Sequence, residues 1–210
     1  MDPRSLRVYV LTSMGFVPGR SHRDVAEAAL AGGATAVQLR APELTDTRLE
    51  PLAGELTERC HSAGALFVVN DRVAVAASVG AGAHVGQGDD PGSAREVLDP
   101  TAVLGVSVST TDEARAAEVA GADYLGVTVW ATPTKPEAEP RGLDGLRTIA
   151  REISLPVVGV GGIHAGNAAD VLEAGAAGIG VVSAVGAAPD PVRATETLVD
   201  AVHRWEEGKG

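Results

Sequence analysis

Two aspartates, Asp71 and Asp89, each follow a short apolar run and each precede a helical pattern. Carboxylates delivered from neighbouring strand ends suit Mg2+, which takes one or two of them, keeps several waters and bridges to phosphate oxygens. Both positions also suit helix N-caps, although Asp90, just before Pro91, is the better capping candidate. Arg40 offers a planar fork for a diphosphate, or equally a surface ion pair. The tetrapeptide Thr132-Pro133-Thr134-Lys135 sets a cation just past another apolar run, where it can hold an anion or stand as a solvated loop lysine. Gly161-Gly162 and Val182-Ser183 are tight turns whose amides can cradle a phosphate.

These groups need elements to position them. Strand-like runs are read at Val8–Thr12, Ala36–Leu39, Leu66–Asn70, Ala83–Val85, Val103–Ser107, Tyr124–Val127, Val157–Val160 and Gly178–Val182. Helical patterns lie between them at His22–Ala31, Asp46–Ala63, Arg72–Val79, Gly92–Leu98, Thr111–Ala120, Leu143–Ile153, Asn167–Ala174 and Pro191–Trp205. Eight strand–helix units in strict alternation predict a closed parallel (β/α)8 barrel, with an open doubly wound sheet as the alternative. A recurrent phrase, as in Ala31-Gly-Gly-Ala34 and Ala120-Gly-Ala-Asp123, separates helix from strand and reads as a left-handed glycine cap. No linker divides residues 1–210, so one domain is expected. In such a barrel the strand C-termini carry the site. That adds Gln38, Asn70 and Ser107 to the candidates, while His84, inside a strand, reads as packed.

Composition narrows the function. Against 28 acidic residues stand only 17 basic ones, for a net charge of −11, which argues against nucleic acid. A phosphate ligand would then need a local positive site built from a metal, a few Lys or Arg side chains and backbone amides. A single cysteine, Cys60, excludes an internal disulfide and reads as an inert thiol. The remaining histidines, His22, His61, His164 and His203, have no metal-ligand spacing. With no run of membrane length and no signal-like segment, a cytoplasmic protein without membrane association is expected.

Taken in order, several phrases resemble the thiamine phosphate synthase family. They are RVYVLTS with PGRS, AALAGGATAVQLR, VVNDRVAVAASVGAGAHVGQGDDP, LGVSVST, ADYLGVTVWATPTKPEAEPRGLDGLR and PVVGVGGIHAGNAADVLEAGAAGIGVVSAV. The resemblance implies a Mg2+-assisted transferase of thiamine biosynthesis. It would join hydroxymethylpyrimidine diphosphate to hydroxyethylthiazole phosphate, or its carboxylated precursor, and release pyrophosphate. Carried over by matching positions, Gln38, Arg40 and Asn70 would contact the pyrimidine diphosphate, and Asp71 and Asp89 would hold Mg2+. Ser107 and Lys135 would face the diphosphate, with Arg40 beside them in catalysis. Thr132, Pro133, Thr134, Gly161, Gly162, Val182 and Ser183 would line the thiazole phosphate site. The expected partners are these small phosphorylated substrates, with a homo-oligomer left open.

The chain departs from the family pattern at Pro42, where a lysine is usual, at Ser109, where a histidine is usual, and in a Val127–Ala131 segment one residue short. A related thiazole tautomerase would move a proton with a positioned base, often His, and would use neither Mg2+ nor diphosphate. A non-catalytic ligand-binding barrel and a phosphosugar isomerase-type barrel are the more distant alternatives.

Overall fold

The computed structural model describes residues 1–132 and 139–208. Strands β1 (Val8–Leu11), β2 (Ala36–Leu39), β3 (Leu66–Asn70), β4 (Gly82–Val85), β5 (Leu104–Ser107), β6 (Tyr124–Thr128), β7 (Val157–Val160) and β8 (Gly178–Val181) pair in parallel in sequence order, and β8 closes back on β1. Helices α1 (His22–Ala31), α2 (Asp46–Ser62), α3 (Val73–Ser78), α4 (Pro91–Val97), α5 (Thr111–Val119), α6 (Gly142–Glu152) and α7 (Ala168–Glu173) follow the first seven strands. After β8 come a single turn, α8 (Ser183–Gly186), and the long α9 (Pro191–Glu207). This is the (β/α)8 barrel that the alternation predicts, and the open sheet is excluded by closure.

Alternation along each strand divides the core in two. Val8 and Val10 of β1 join the shell between strands and helices, with Val37, Leu39, Phe67 and Val69. Tyr9 turns the other way, into a smaller interior cluster with Ala36, Val68, Tyr124 and Val158. Glycine gives the interior room for the Tyr124 ring and for a close backbone approach. A methyl on Gly105 would stand 2.1 Å from Cζ of Tyr124, and one on Gly178 would stand 1.7 Å from the Leu6 carbonyl oxygen.

Local chemistry fixes the helix starts. Ser21 with Asp24 and Thr110 with Glu113 form reciprocal capping boxes on α1 and α5. Asp90 caps α4 through the amides of Gly92 and Ser93, as its place before Pro91 suggests. The turns out of α1 and α5 carry Gly33 at φ +88° and Gly121 at φ +87°, the conformation expected of the recurrent phrase.

Candidate active site

The first end of the site is a cavity at the barrel mouth. It is lined by Leu11, Arg40, Thr128, Thr132, Val160, Gly161, Gly162, Ile163, Gly180, Val181, Val182 and Ser183. Of the residues expected from sequence, Arg40, Thr132, Gly161, Gly162, Val182 and Ser183 therefore meet at one place. Gly161 (φ +87°) and Gly162 (φ +67°) turn the chain sharply at the end of β7. Side chains are excluded here, because a Cβ on Gly161 would lie 2.6 Å from the Trp130 carbonyl oxygen. Asn167, which sequence reasoning passed over, fixes this turn: its Nδ2 donates to the Gly162 carbonyl at 3.0 Å and its Oδ1 accepts from the His164 amide at 2.8 Å.

Arg40 is held by its backbone. Its amide donates to Oγ1 of the fully buried Thr12 at 3.2 Å. Thr12 Oγ1 lies 2.8 Å from His22 Nδ1, and His22 Nε2 lies 2.6 Å from Oε1 of Glu43. The loop after β2 is thus pinned to the end of β1 and the first residue of α1. Burial is the largest single influence on the Glu43 carboxyl and pushes it up, but the hydrogen bond with His22, its own amide and the nearby Arg40 guanidinium together outweigh it. The result lies below the usual carboxylate range, so Glu43 is an anion beside Arg40. Pro42 sits exposed in the turn between them.

The carboxylates come from the adjacent ends of β3 and β4. Asp71 is exposed, its amide donates to the His84 carbonyl at 2.8 Å, and its φ of +61° is the only positive value among described non-glycine residues. Asp89 is also exposed, and its Oδ2 accepts from the Gly86 amide at 2.8 Å. Neither caps a helix: the N-cap of α3 is Arg72 and that of α4 is Asp90. Among the described residues no cluster of three or more His, Cys, Asp or Glu side chains could hold a metal. Two hard oxygen donors without a soft or nitrogen ligand fit Mg2+, which is completed by water and phosphate rather than by a protein cage.

Asp89 and Ser107 line a second hollow beside the β4 and β5 ends. Gln38 and Asn70 line neither hollow. Asn70 closes β3 opposite His84. Gln38 is 1% exposed in the barrel interior and donates from Nε2 to the Tyr9 hydroxyl at 2.8 Å. Pro133, Thr134 and Lys135 lie outside the described residues. At the position where a base would be expected in a tautomerase, Ser109 is engaged: Oγ accepts from Gln87 at 2.7 Å and its amide donates to Glu113 at 2.6 Å.

A closed parallel barrel that brings Arg40 and the Gly161-Gly162 turn to one mouth cavity, with two exposed carboxylates at neighbouring strand ends, defines the class of (β/α)8 enzymes whose site lies at the C-terminal strand ends. The family model described as thiamine monophosphate synthase matches residues 8–185. A thiamine-phosphate synthase of Moorella thermoacetica is 48% identical over 97% of this chain and 98% of its own. Another, from Chloroflexus aurantiacus, is 50% identical over 91% and 90%. The solved thiamine phosphate pyrophosphorylase from Pyrococcus furiosus superposes with a TM-score of 0.89 at 38% identity, covering 97% of this chain and 98% of that one. The chain belongs to the thiamine monophosphate synthase family.

Proposed function

We propose that this protein condenses 4-amino-2-methyl-5-hydroxymethylpyrimidine diphosphate with 4-methyl-5-hydroxyethylthiazole phosphate, giving thiamine phosphate and pyrophosphate. The observation that carries the reading is the convergence of Arg40, Thr132, Gly161, Gly162, Val182 and Ser183 on one mouth cavity. In this reading the amides of Gly161, Gly162 and Ser183 hold the thiazole phosphate. Arg40 presents its fork to the diphosphate, and Ser107 and Lys135 add donors from the other side.

The reaction breaks the C–O bond between the pyrimidine methylene and the diphosphate. Both bonding electrons leave with pyrophosphate, and the electron-rich aminopyrimidine spreads the positive charge left behind. The thiazole nitrogen then donates its lone pair to that carbon and forms the new C–N bond. No side chain has to remove a proton, which agrees with Ser109 at the place where a base would be sought. Positioning and charge stabilisation carry the rate. Asp71 and Asp89 would hold Mg2+, which neutralises charge on the departing pyrophosphate.

Purified protein mixed with both heterocycles and Mg2+ should form thiamine phosphate and pyrophosphate in equal amounts, and removing Mg2+ with a chelator should abolish the reaction reversibly. Absence of product refutes the condensation. Product undiminished by chelation refutes the metal assignment alone.

A further inference from the structure

The barrel interior contains a continuous polar chain whose inner members, Tyr9, Tyr124 and His84, the reaction as described does not use. Gln38 Nε2 donates to the Tyr9 hydroxyl at 2.8 Å, and the Tyr9 and Tyr124 hydroxyls are 2.8 Å apart. Tyr124 lies 2.9 Å from His84 Nδ1, and His84 Nε2 lies 2.9 Å from Ser107 Oγ. Tyr9 and Tyr124 are almost wholly buried and His84 is 9% exposed. Space for the chain is provided by glycine: a Cβ on Gly105 would strike the Tyr124 ring, and one on Gly126 would press on His84 Cε1 at 3.2 Å.

We propose that Tyr9, Tyr124 and His84 form a one-way hydrogen-bond relay that couples the amide orientation of Gln38 to the hydroxyl of Ser107. The inference rests on the proposed function for what the two ends touch. A phenol has one proton, so each bond fixes the next. With Gln38 donating, Tyr9 must pass its proton toward Tyr124, and Tyr124 toward His84 Nδ1. His84 is then the Nε2–H tautomer and donates to Ser107 Oγ. The Ser107 proton is left to donate to an anion, as a departing diphosphate requires. Desolvation raises the pKa of both phenols, which keeps them neutral and in possession of those protons.

At the other end, Gln38 Oε1 has no hydrogen-bond partner among the described residues. A buried orphan acceptor is costly, and an amino group on the pyrimidine would satisfy it once the ring enters the barrel mouth deeply enough to reach Gln38, which lines neither hollow of the free chain. An oxo group in the same place would favour the flipped amide. That flip reverses every bond in the relay and turns the Ser107 lone pairs toward the diphosphate. The relay therefore reads amine against carbonyl at one end as diphosphate departure at the other. The two orientations differ in the His84 tautomer, Nε2–H in one and Nδ1–H in the other, so switching between them requires the imidazole to give up one proton and take up another by exchange with water. No proton passes to the substrate, and Tyr9, Tyr124 and His84 are positioning residues.

Two measurements test this. In the intact protein, long-range 1H–15N correlation of the imidazoles, with His84 assigned by loss of its signals in His84→Gln, should show Nδ1 bare and Nε2 protonated. A His84 carrying its proton on Nδ1, or on both nitrogens, overturns the relay. This reading needs no turnover, so a protein that fails to make thiamine phosphate but shows the Nε2–H tautomer refutes the proposed function and not the relay. In Tyr124→Phe the ring stays and the wire is cut. The tautomer preference should be lost, and kcat should fall on the order of tenfold with KM for the thiazole phosphate unchanged. A Tyr124→Phe protein with wild-type kcat, or with kcat and both KM values altered alike, overturns it.

Discussion

Asp71 allows metal binding and folding to be separated by one substitution. Its φ of +61° places it in the left-handed region, which costs an L-residue roughly 1–2 kcal/mol and is least unfavourable for Asn and Asp. Alanine there would carry that backbone cost as well as the lost carboxylate and would confound the two effects. Asp71→Asn keeps the backbone preference and the shape and removes only the charge. Asp71→Gly removes about 1 kcal/mol of backbone strain and restores a comparable amount of unfolded-state freedom, about 0.4–1 kcal/mol, so the two nearly cancel. Both variants should unfold in urea within about 0.5 kcal/mol of wild type. Activity should fall at least tenfold in each, equivalent to about 1.4 kcal/mol of transition-state stabilisation, with a higher Mg2+ concentration needed for half-maximal rate. Variants with intact activity and an unmoved Mg2+ requirement would refute Asp71 as a ligand. Variants losing several kcal/mol of stability in step with activity would make the carboxylate a structural group.

Lys135→Ala should reduce kcat/KM by at least tenfold while leaving the melting temperature nearly unchanged; an equal loss in both would recast Lys135 as structural. Gly178→Ala would drive a methyl into the Leu6 backbone, 1.7 Å from its carbonyl oxygen and 2.5 Å from its carbonyl carbon. A backbone cannot rotate aside, so the cost should reach about 3 kcal/mol and the melting temperature should drop by roughly 6–12 °C, read by calorimetry. Burial pushes the Cys60 thiol up to about 12, so native protein at pH 8 should resist iodoacetamide while urea-unfolded protein reacts. Because the unfolded thiol titrates near pH 8.5, the stabilisation from keeping it neutral is complete below that pH. It should be lost as pH rises toward about 12, and Cys60→Ala should flatten that part of the urea stability profile.

The strands were legible because each is a short Val-, Ile- or Leu-bearing run, several of them announced by a glycine-containing return from the preceding helix, and the eight such runs place the barrel without any contact information. The start of β4 moved by one residue, to Gly82, since glycine carries no strand signal of its own, and β1, β5, β6 and β8 each shifted by one residue at one end, where pairing with a neighbour decides the limit. The turn Ser183–Gly186 was invisible, because four residues do not complete a helical period. The mouth residues were legible as strand-end groups plus a family resemblance. The supports behind them were not: Thr12 and His22 steady Arg40, and Asn167 steadies Gly162. Nothing in the local sequence marks them, because each acts through a partner on another turn or element. The interior relay is the extreme case, since Tyr9 and Tyr124 are separated by 115 residues and meet only when β1 and β6 face each other across the closed sheet. His84 was read as packed, and it is; its side-chain hydrogen bonds with Tyr124 and Ser107 show only once the register is fixed.

Where a tyrosine ring occupies the volume that a neighbouring strand vacates by having no side chain, the two positions are a single unit of inheritance. Residue 105 cannot grow unless residue 124 shrinks in the same step, and either change alone passes through a chain that packs badly. A lineage drifting from this sequence would hold both letters fixed for long periods and then exchange them together. Any attempt to repack the barrel interior beneath the site has to treat the pair as one position.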